Sequence, residues 1–119
     1  MKNFTLLFLI AFWTFNVQSQ TFTDSNIPIV VITTPAGQVI MDDPRIVCDM
    51  GVIDNGPGVQ NYLTDPFTTY NGKIAIEIRG STSQQYPKKG YGFETQFPTG
   101  ENLPVALLGM PMENDWILY

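Results

Sequence analysis

The stretch "NGKIAIEIRG", residues 71–80, constrains the fold more than any other part of the chain. Ile74, Ile76 and Ile78 alternate with Lys73, Ala75, Glu77 and Arg79. A period of two sends apolar side chains to one face and polar ones to the other, so the segment predicts a strand resting one face on a core. "GYGFETQF" (90–97) alternates in the same way, with Tyr91, Phe93 and Thr95 on one side and Glu94 and Gln96 on the other. Two such strands separated by a short polar segment predict neighbours in a sheet.

Other strands follow from composition. "IPIVVITT" (27–34) is a β-branched run that is apolar on both faces, which suits a strand covered on both sides, with Pro28 tolerated near its start. In "RIVCDMGVID" (45–54), Ile46, Cys48, Met50 and Val52 share one face, opposite Asp49 and Gly51. "DWILY" (115–119) is a further apolar strand, whose uncovered edge predicts a domain cut short rather than finished. "PAGQ" (35–38), "MDDP" (41–44) and "PTGENLPV" (98–105) are turns by composition, and "ALLGMP" (106–111) predicts one helical turn halted by Gly109 and Pro111. "DNGPGVQNYLTDP" (54–66) is loop-rich; Asp54, Asn55 and Asp65 raise a calcium loop, but their spacing fits no EF-hand. No long amphipathic helix and no internal repeat occurs. The expected fold class is α+β, β-rich and built on a mainly antiparallel sheet, within the single domain that 119 residues allow.

The ends and the rare residues narrow the function. Residues 1–19 are expected to be a signal peptide: Lys2, an apolar run at 4–15 too short for a comfortable span, and Val17-Gln18-Ser19 before a cleavage site at Gln20. A retained N-terminal anchor is the other reading of that segment. Residues 20–26 are expected to be a flexible mature N-terminus, with the domain proper at 27–119 and the protein secreted or at the cell surface, with no membrane span after cleavage. Loss of Lys2 leaves five basic against eleven acidic residues, which argues against nucleic-acid partners. Cys48 is alone and histidine is absent, so no internal disulfide forms, and a structural zinc site and His-based triads are excluded. Cys48 is expected to be a small buried hydrophobe.

Against this acidic background, residues 76–95 hold three of the six basic residues. Gly80 permits a sharp turn or close approach to a ligand, Ser81, Thr82 and Ser83 offer hydroxyls, and Gln84 and Gln85 offer amides. Pro87 stiffens the exit toward Lys88 and Lys89, and Arg79 adds a planar fork suited to phosphate or carboxylate. Strand alternation would place Lys88 on the side of Glu94, a carboxylate able to hold it. The residues fit either a solvated hairpin or a cradle for an anion; they are neither a P-loop nor a protein-kinase Gly-rich loop.

The order of residues adds to this. "KIAIEIRGSTSQQYPKKGYGFET" followed by "LLGMPMENDWILY" resembles the front part of the CotH (spore coat protein H-like) kinase family. The likeness covers roughly 27–119. It rests on the Ile-rich strand, Arg79-Gly80-Ser81-Thr82-Ser83, Pro87-Lys88-Lys89, Tyr91-Gly92-Phe93-Glu94, Leu107-Leu108-Gly109-Met110-Pro111 and Asp115-Trp116. The resemblance implies the N-terminal lobe of an atypical protein-kinase-like fold that binds ATP with a divalent cation, Mg or Mn, and phosphorylates an extracellular protein substrate. It implies a nucleotide-facing set of Arg79, Ser81, Thr82, Ser83, Lys88, Lys89 and Glu94, with one of Lys88 and Lys89 reaching the phosphates and Glu94 able to hold the lysine. The metal-binding and acceptor-orienting aspartates of such kinases would lie beyond Tyr119, so the chain is expected to be an inactive fragment by itself. Asp115 is the one acid in the family-like C-terminal block near a possible cleft, and a strand-start residue beside Trp116 is its plainer role. Two other readings are an extracellular β-sandwich adhesion module using Tyr62, Tyr70, Tyr86 and Tyr91 on glycans, and a degenerate, non-catalytic surface protein.

Overall fold

The alternating segment forms the middle strand of a five-stranded antiparallel sheet. The computed structural model describes residues 19–119, so the segment expected to be a signal lies, apart from Ser19, outside the described residues. In chain order the strands are β1 (Asp24–Ser25), β2 (Ile29–Thr33), β3 (Ile46–Ile53), β4 (Asn61–Tyr62), β5 (Tyr70–Arg79), β6 (Gly90–Gln96) and β7 (Asp115–Leu118). The sheet order is β2-β3-β5-β6-β7, with β1 and β4 paired separately. The chain is thus β-rich and antiparallel, and its described helical content is confined to two short 3-10 turns, Pro35–Gly37 and Thr82–Gln85.

Register converts the sequence periodicity into a core. Ile46 lies opposite Ile76, Ile76 opposite Phe93, and Phe93 opposite Trp116, which makes one apolar row across four strands. Cys48, Met50, Val52 and Ile74 extend that face, and all four are buried. Leu103, Val105 and Leu107 cover it from the segment between β6 and β7. Fully burying each Ile or Met side chain contributes about 1.5–3 kcal/mol before the ordering entropy is set against it. Thr95, buried among them, donates through Oγ1 to the Leu103 carbonyl at 2.7 Å, and Leu103 N–H returns a bond to the Thr95 carbonyl at 2.8 Å. These bonds tie the covering segment to β6. Cys48 is buried as expected, and its burial pushes the thiol above its ordinary range.

Three local expectations are corrected. β2 is an edge strand paired only with β3, and of its residues only Ile29 is buried, so its continuous apolar run does not mark a central strand. The segment 20–26 is not wholly free: Asp24 and Ser25 pair with Tyr62 and Asn61, a contact across the fold that local composition does not encode. Residues 106–111 make no helical turn. Leu108 and Gly109 both have positive φ, Met110 N–H reaches the Leu107 carbonyl at 2.9 Å, and Val105 bridges Glu113, so the segment is a tight hairpin turn. Positive φ at two successive residues is incompatible with a right-handed helix.

The two loops beside β5 lie at opposite ends of the sheet. Residues 54–69 join β3 to β5 and fold back over the sheet, where the Phe67 ring occupies the space a side chain at Gly51 would need. Asn61 accepts from Asn55 N–H through Oδ1 at 2.8 Å and donates through Nδ2 to the Ile27 carbonyl at 3.0 Å. Asn55 Nδ2 also reaches Asp65 Oδ2 at 2.7 Å, and Asp54 Oδ1 accepts from Gly56 N–H. The side chains that raised a calcium loop are therefore engaged within the loop itself.

Candidate anion site at the hairpin tip

The other loop turns β5 into β6. Arg79 pairs with Gly90 as the last rung of the ladder, and Gly80 follows with φ +92°, a conformation that side chains other than glycine rarely take. The Ser83 hydroxyl sits over Gly80 where a Cβ would otherwise be. The 3-10 turn Thr82–Gln85 is closed by Tyr86 N–H on the Ser83 carbonyl at 3.2 Å. The Gln84 side-chain amide donates to the Gly80 carbonyl, and Lys89 Nζ donates to the Gln84 carbonyl, so the tip is braced from within.

A cavity of about 440 Å³ opens beside this tip, lined by Arg79, Ser83, Tyr86, Lys88, Lys89 and Tyr119 with Gly80 and Gly90. Tyr86 and Tyr119, at the cavity wall, are 64% and 84% exposed. The stem of Arg79 lies over Gly92, where a Cβ would meet Arg79 Cδ at 3.5 Å, an ordinary van der Waals contact.

Charge distribution separates this region from the rest of the sheet. Arg45 bridges two strands, with Nη2 on Glu77 Oε1 at 2.9 Å and Nη1 on Glu94 Oε1 at 2.7 Å. Hydrogen bonding to Glu77 is the main cause that raises its already high pKa, and the bond to Glu94 adds to it, so Arg45 stays charged throughout the working range. Lys73 pairs with Asp49 at 2.7 Å. Among the described residues the remaining cations, Arg79, Lys88 and Lys89, have no carboxylate partner, and all three line the one cavity.

Four of the seven candidate residues are thus brought together: Arg79, Ser83, Lys88 and Lys89. Ser81 and Thr82 are exposed on the tip but do not line the cavity. Glu94 is placed differently from the expectation: its ion-pair partner is Arg45, not a lysine. The alternation that joined Lys88 to Glu94 does not reach so far back, because β6 begins only at Gly90 and residues 86–88 form a bend. Asp115 opens β7 opposite Glu94 and is not a lining residue, the plainer of its two roles. The sequence reading did not place Tyr86 and Tyr119 at this site; the position of Tyr86, between the hydroxyls and the lysines, was the available signal. The four tyrosines of the glycan reading do not form one platform. Tyr70 is buried, Tyr91 packs against the core, and the exposed Tyr62 and Tyr86 belong to loops at opposite ends of the sheet.

The site suits an anion. Lysine and arginine supply charge-assisted donors, Ser83 supplies a hydroxyl, and a phosphate chain would satisfy several of them together. It does not suit a divalent cation, because no Asp or Glu side chain lines the cavity and no metal-binding cluster occurs among the described residues. Among those residues there is also no helix long and apolar enough to cross a membrane. Comparison with protein-family models, with curated proteins and with solved structures finds no match in any of the three.

Proposed function

We propose that this chain is the phosphate-facing front part of a secreted CotH-like atypical protein kinase, and that it holds the phosphates of a nucleotide at the β5–β6 hairpin tip. The observation that carries the reading is the convergence of Arg79, Lys88 and Lys89, none with a carboxylate partner among the described residues, on a single cavity. The resemblance to that family, strongest over the same residues, gives the anion its identity as a nucleotide and the acceptor its identity as an extracellular protein. The antiparallel sheet would serve as the kinase-like N-terminal lobe.

On this reading each group has a limited task. Arg79 presents two parallel donors to one phosphate, while Lys88 and Lys89 act as point charges on the neighbouring ones. Ser83, seated over Gly80, adds a hydroxyl bond, and the rings of Tyr86 and Tyr119 give a base apolar surface. Phosphoryl transfer depends mainly on positioning and electrostatic stabilisation, which such a tip supplies. A divalent cation would neutralise charge on the phosphates in a kinase of this kind. The residues of this cavity do not fit one.

The test is ATP binding by the protein, with and without Mg²⁺, compared with Lys88→Ala plus Lys89→Ala. Saturable ATP binding that the double variant loses supports the reading. ATP binding that the double variant retains, or no nucleotide binding under any condition, ends it.

A further inference from the structure

The charge inventory of the tip goes beyond the phosphate reading on which it rests. All eleven acidic side chains of the chain fall within the described residues, and none lines the cavity. The two carboxylates on the strands that form this hairpin, Glu77 and Glu94, are held by Arg45. A bound Mg²⁺ or Ca²⁺ takes oxygen ligands, above all carboxylates, and sites that bind nucleotide with a metal ordinarily supply at least one acid to hold it. Here the lining offers Arg79, Lys88 and Lys89, so an ion riding on the phosphates would meet like charge instead of ligands. Chelation would also withdraw two charges from the phosphate chain and occupy oxygens that the lysines would otherwise reach.

We propose that residues 19–119 by themselves form a metal-independent oligophosphate site at this cavity. It takes a di- or triphosphate chain in its metal-free form, either inorganic or as the tail of a nucleotide, and a divalent cation competes with the protein for the same oxygens. The three cations replace the metal as the source of compensating charge. Three cations lining one cavity match the several charges of a di- or triphosphate chain better than those of a single phosphate.

Calorimetric titration of the protein with ATP, and separately with inorganic tripolyphosphate, each in excess EDTA and in excess MgCl₂, tests this. Adenosine serves as the arm without phosphate. Binding in EDTA that excess Mg²⁺ weakens by about tenfold, on the order expected for losing one close surface ion pair, supports the inference. Tripolyphosphate binding as tightly as ATP points to the inorganic chain, and a clear preference for ATP points to the nucleotide. Lys88→Ala plus Lys89→Ala should abolish binding in EDTA. Lys73→Ala, which removes a cation paired with Asp49 away from the cavity, should leave it unchanged. Binding that Mg²⁺ tightens overturns metal independence and leaves the phosphate reading standing. Equal binding in EDTA and MgCl₂ also overturns the proposed competition. Absence of binding in both media sinks the inference together with the reading beneath it.

Discussion

Two loops flank β5, one entering it and one leaving it, and their compositions are alike: polar, glycine-containing and broken by proline. Their side chains do opposite things. In the loop 54–69, polar groups bond to one another and to the rest of the fold through Asn55, Asn61, Asp65 and Thr68, and Phe67 seals the sheet. In the tip 80–89, internal bonds involve only backbone groups, Gln84 and Lys89, while Ser81, Thr82, Ser83 and Lys88 make no side-chain hydrogen bond among the described residues. Unsatisfied polar groups are expensive when buried and inexpensive when wet. The first loop is part of the fold's architecture, and the second keeps its donors available for something else.

The largest effect that would break this contrast comes from Asn61, which is 1% exposed and bonded through both ends of its amide. Asn61→Ala leaves the Asn55 N–H and the Ile27 carbonyl without partners and is expected to cost about 2–4 kcal/mol in a urea titration. A loss under about 0.5 kcal/mol would mean that the loop 54–69 is as loose as the tip.

Next is Gly51. A Cβ there would enter the Phe67 ring, so Gly51→Ala should destabilise by about 1–3 kcal/mol through overpacking. Phe67→Ala in the same molecule should recover part of that loss, since it removes the colliding atoms. A double-mutant cycle with no coupling would show that Phe67 does not seal this end.

How much of this is legible in the sequence depends on distance along the chain. The alternation of Ile74, Ile76 and Ile78 is local, and it located β5 and its apolar face closely; the same holds for Phe93 and Thr95 in β6. The bridge from Arg45 to Glu77 and Glu94 was not legible. It depends on the β3–β5 register, which puts Ile46 opposite Ile76 and so brings Arg45 beside Glu77, partners that no local pattern joins. The pairing of Asp24 with Tyr62 failed to show for the same reason, since two-residue strands have no periodicity. At the site, the clustering of Arg79 with Lys88 and Lys89 was legible because the hairpin brings together residues already close in sequence. Tyr119 was not, because it follows β7, a strand distant in sequence that the β6–β7 pairing brings beside Gly90.

Tyr70 offers a pH-dependent version of the contrast. Its hydroxyl donates to the Lys73 carbonyl at 2.6 Å where the loop 54–69 enters the sheet, and burial raises its pKa above 10.0. A phenol raised on folding contributes stability that is complete below pH 10 and falls as pH climbs through the folded pKa. The slope from this one group is at most about 1.4 kcal/mol per pH unit. Cys48, also raised by burial, adds a similar decline starting near pH 9.0. Urea midpoints measured from pH 8 to pH 11 should therefore decline in two stages, and Tyr70→Phe should flatten only the later one. An unchanged slope in that variant would place the phenol outside the seal.

The smallest effect on stability is expected at the tip itself. Ser81→Ala, Thr82→Ala and Lys88→Ala combined remove three side chains that touch no hydrogen-bond partner among the described residues, so unfolding free energy should change by less than about 0.5 kcal/mol. Removing Lys88 lessens repulsion with Arg79 and Lys89 across the shared cavity, so the sign should be slightly stabilising at low ionic strength and vanish in concentrated salt. A tip integral to the fold would instead lose stability as Asn61→Ala does. The predicted pattern has one physical origin: like charges held together by the chain with no carboxylate partner among the described residues, a cost that folding alone gives no reason to keep.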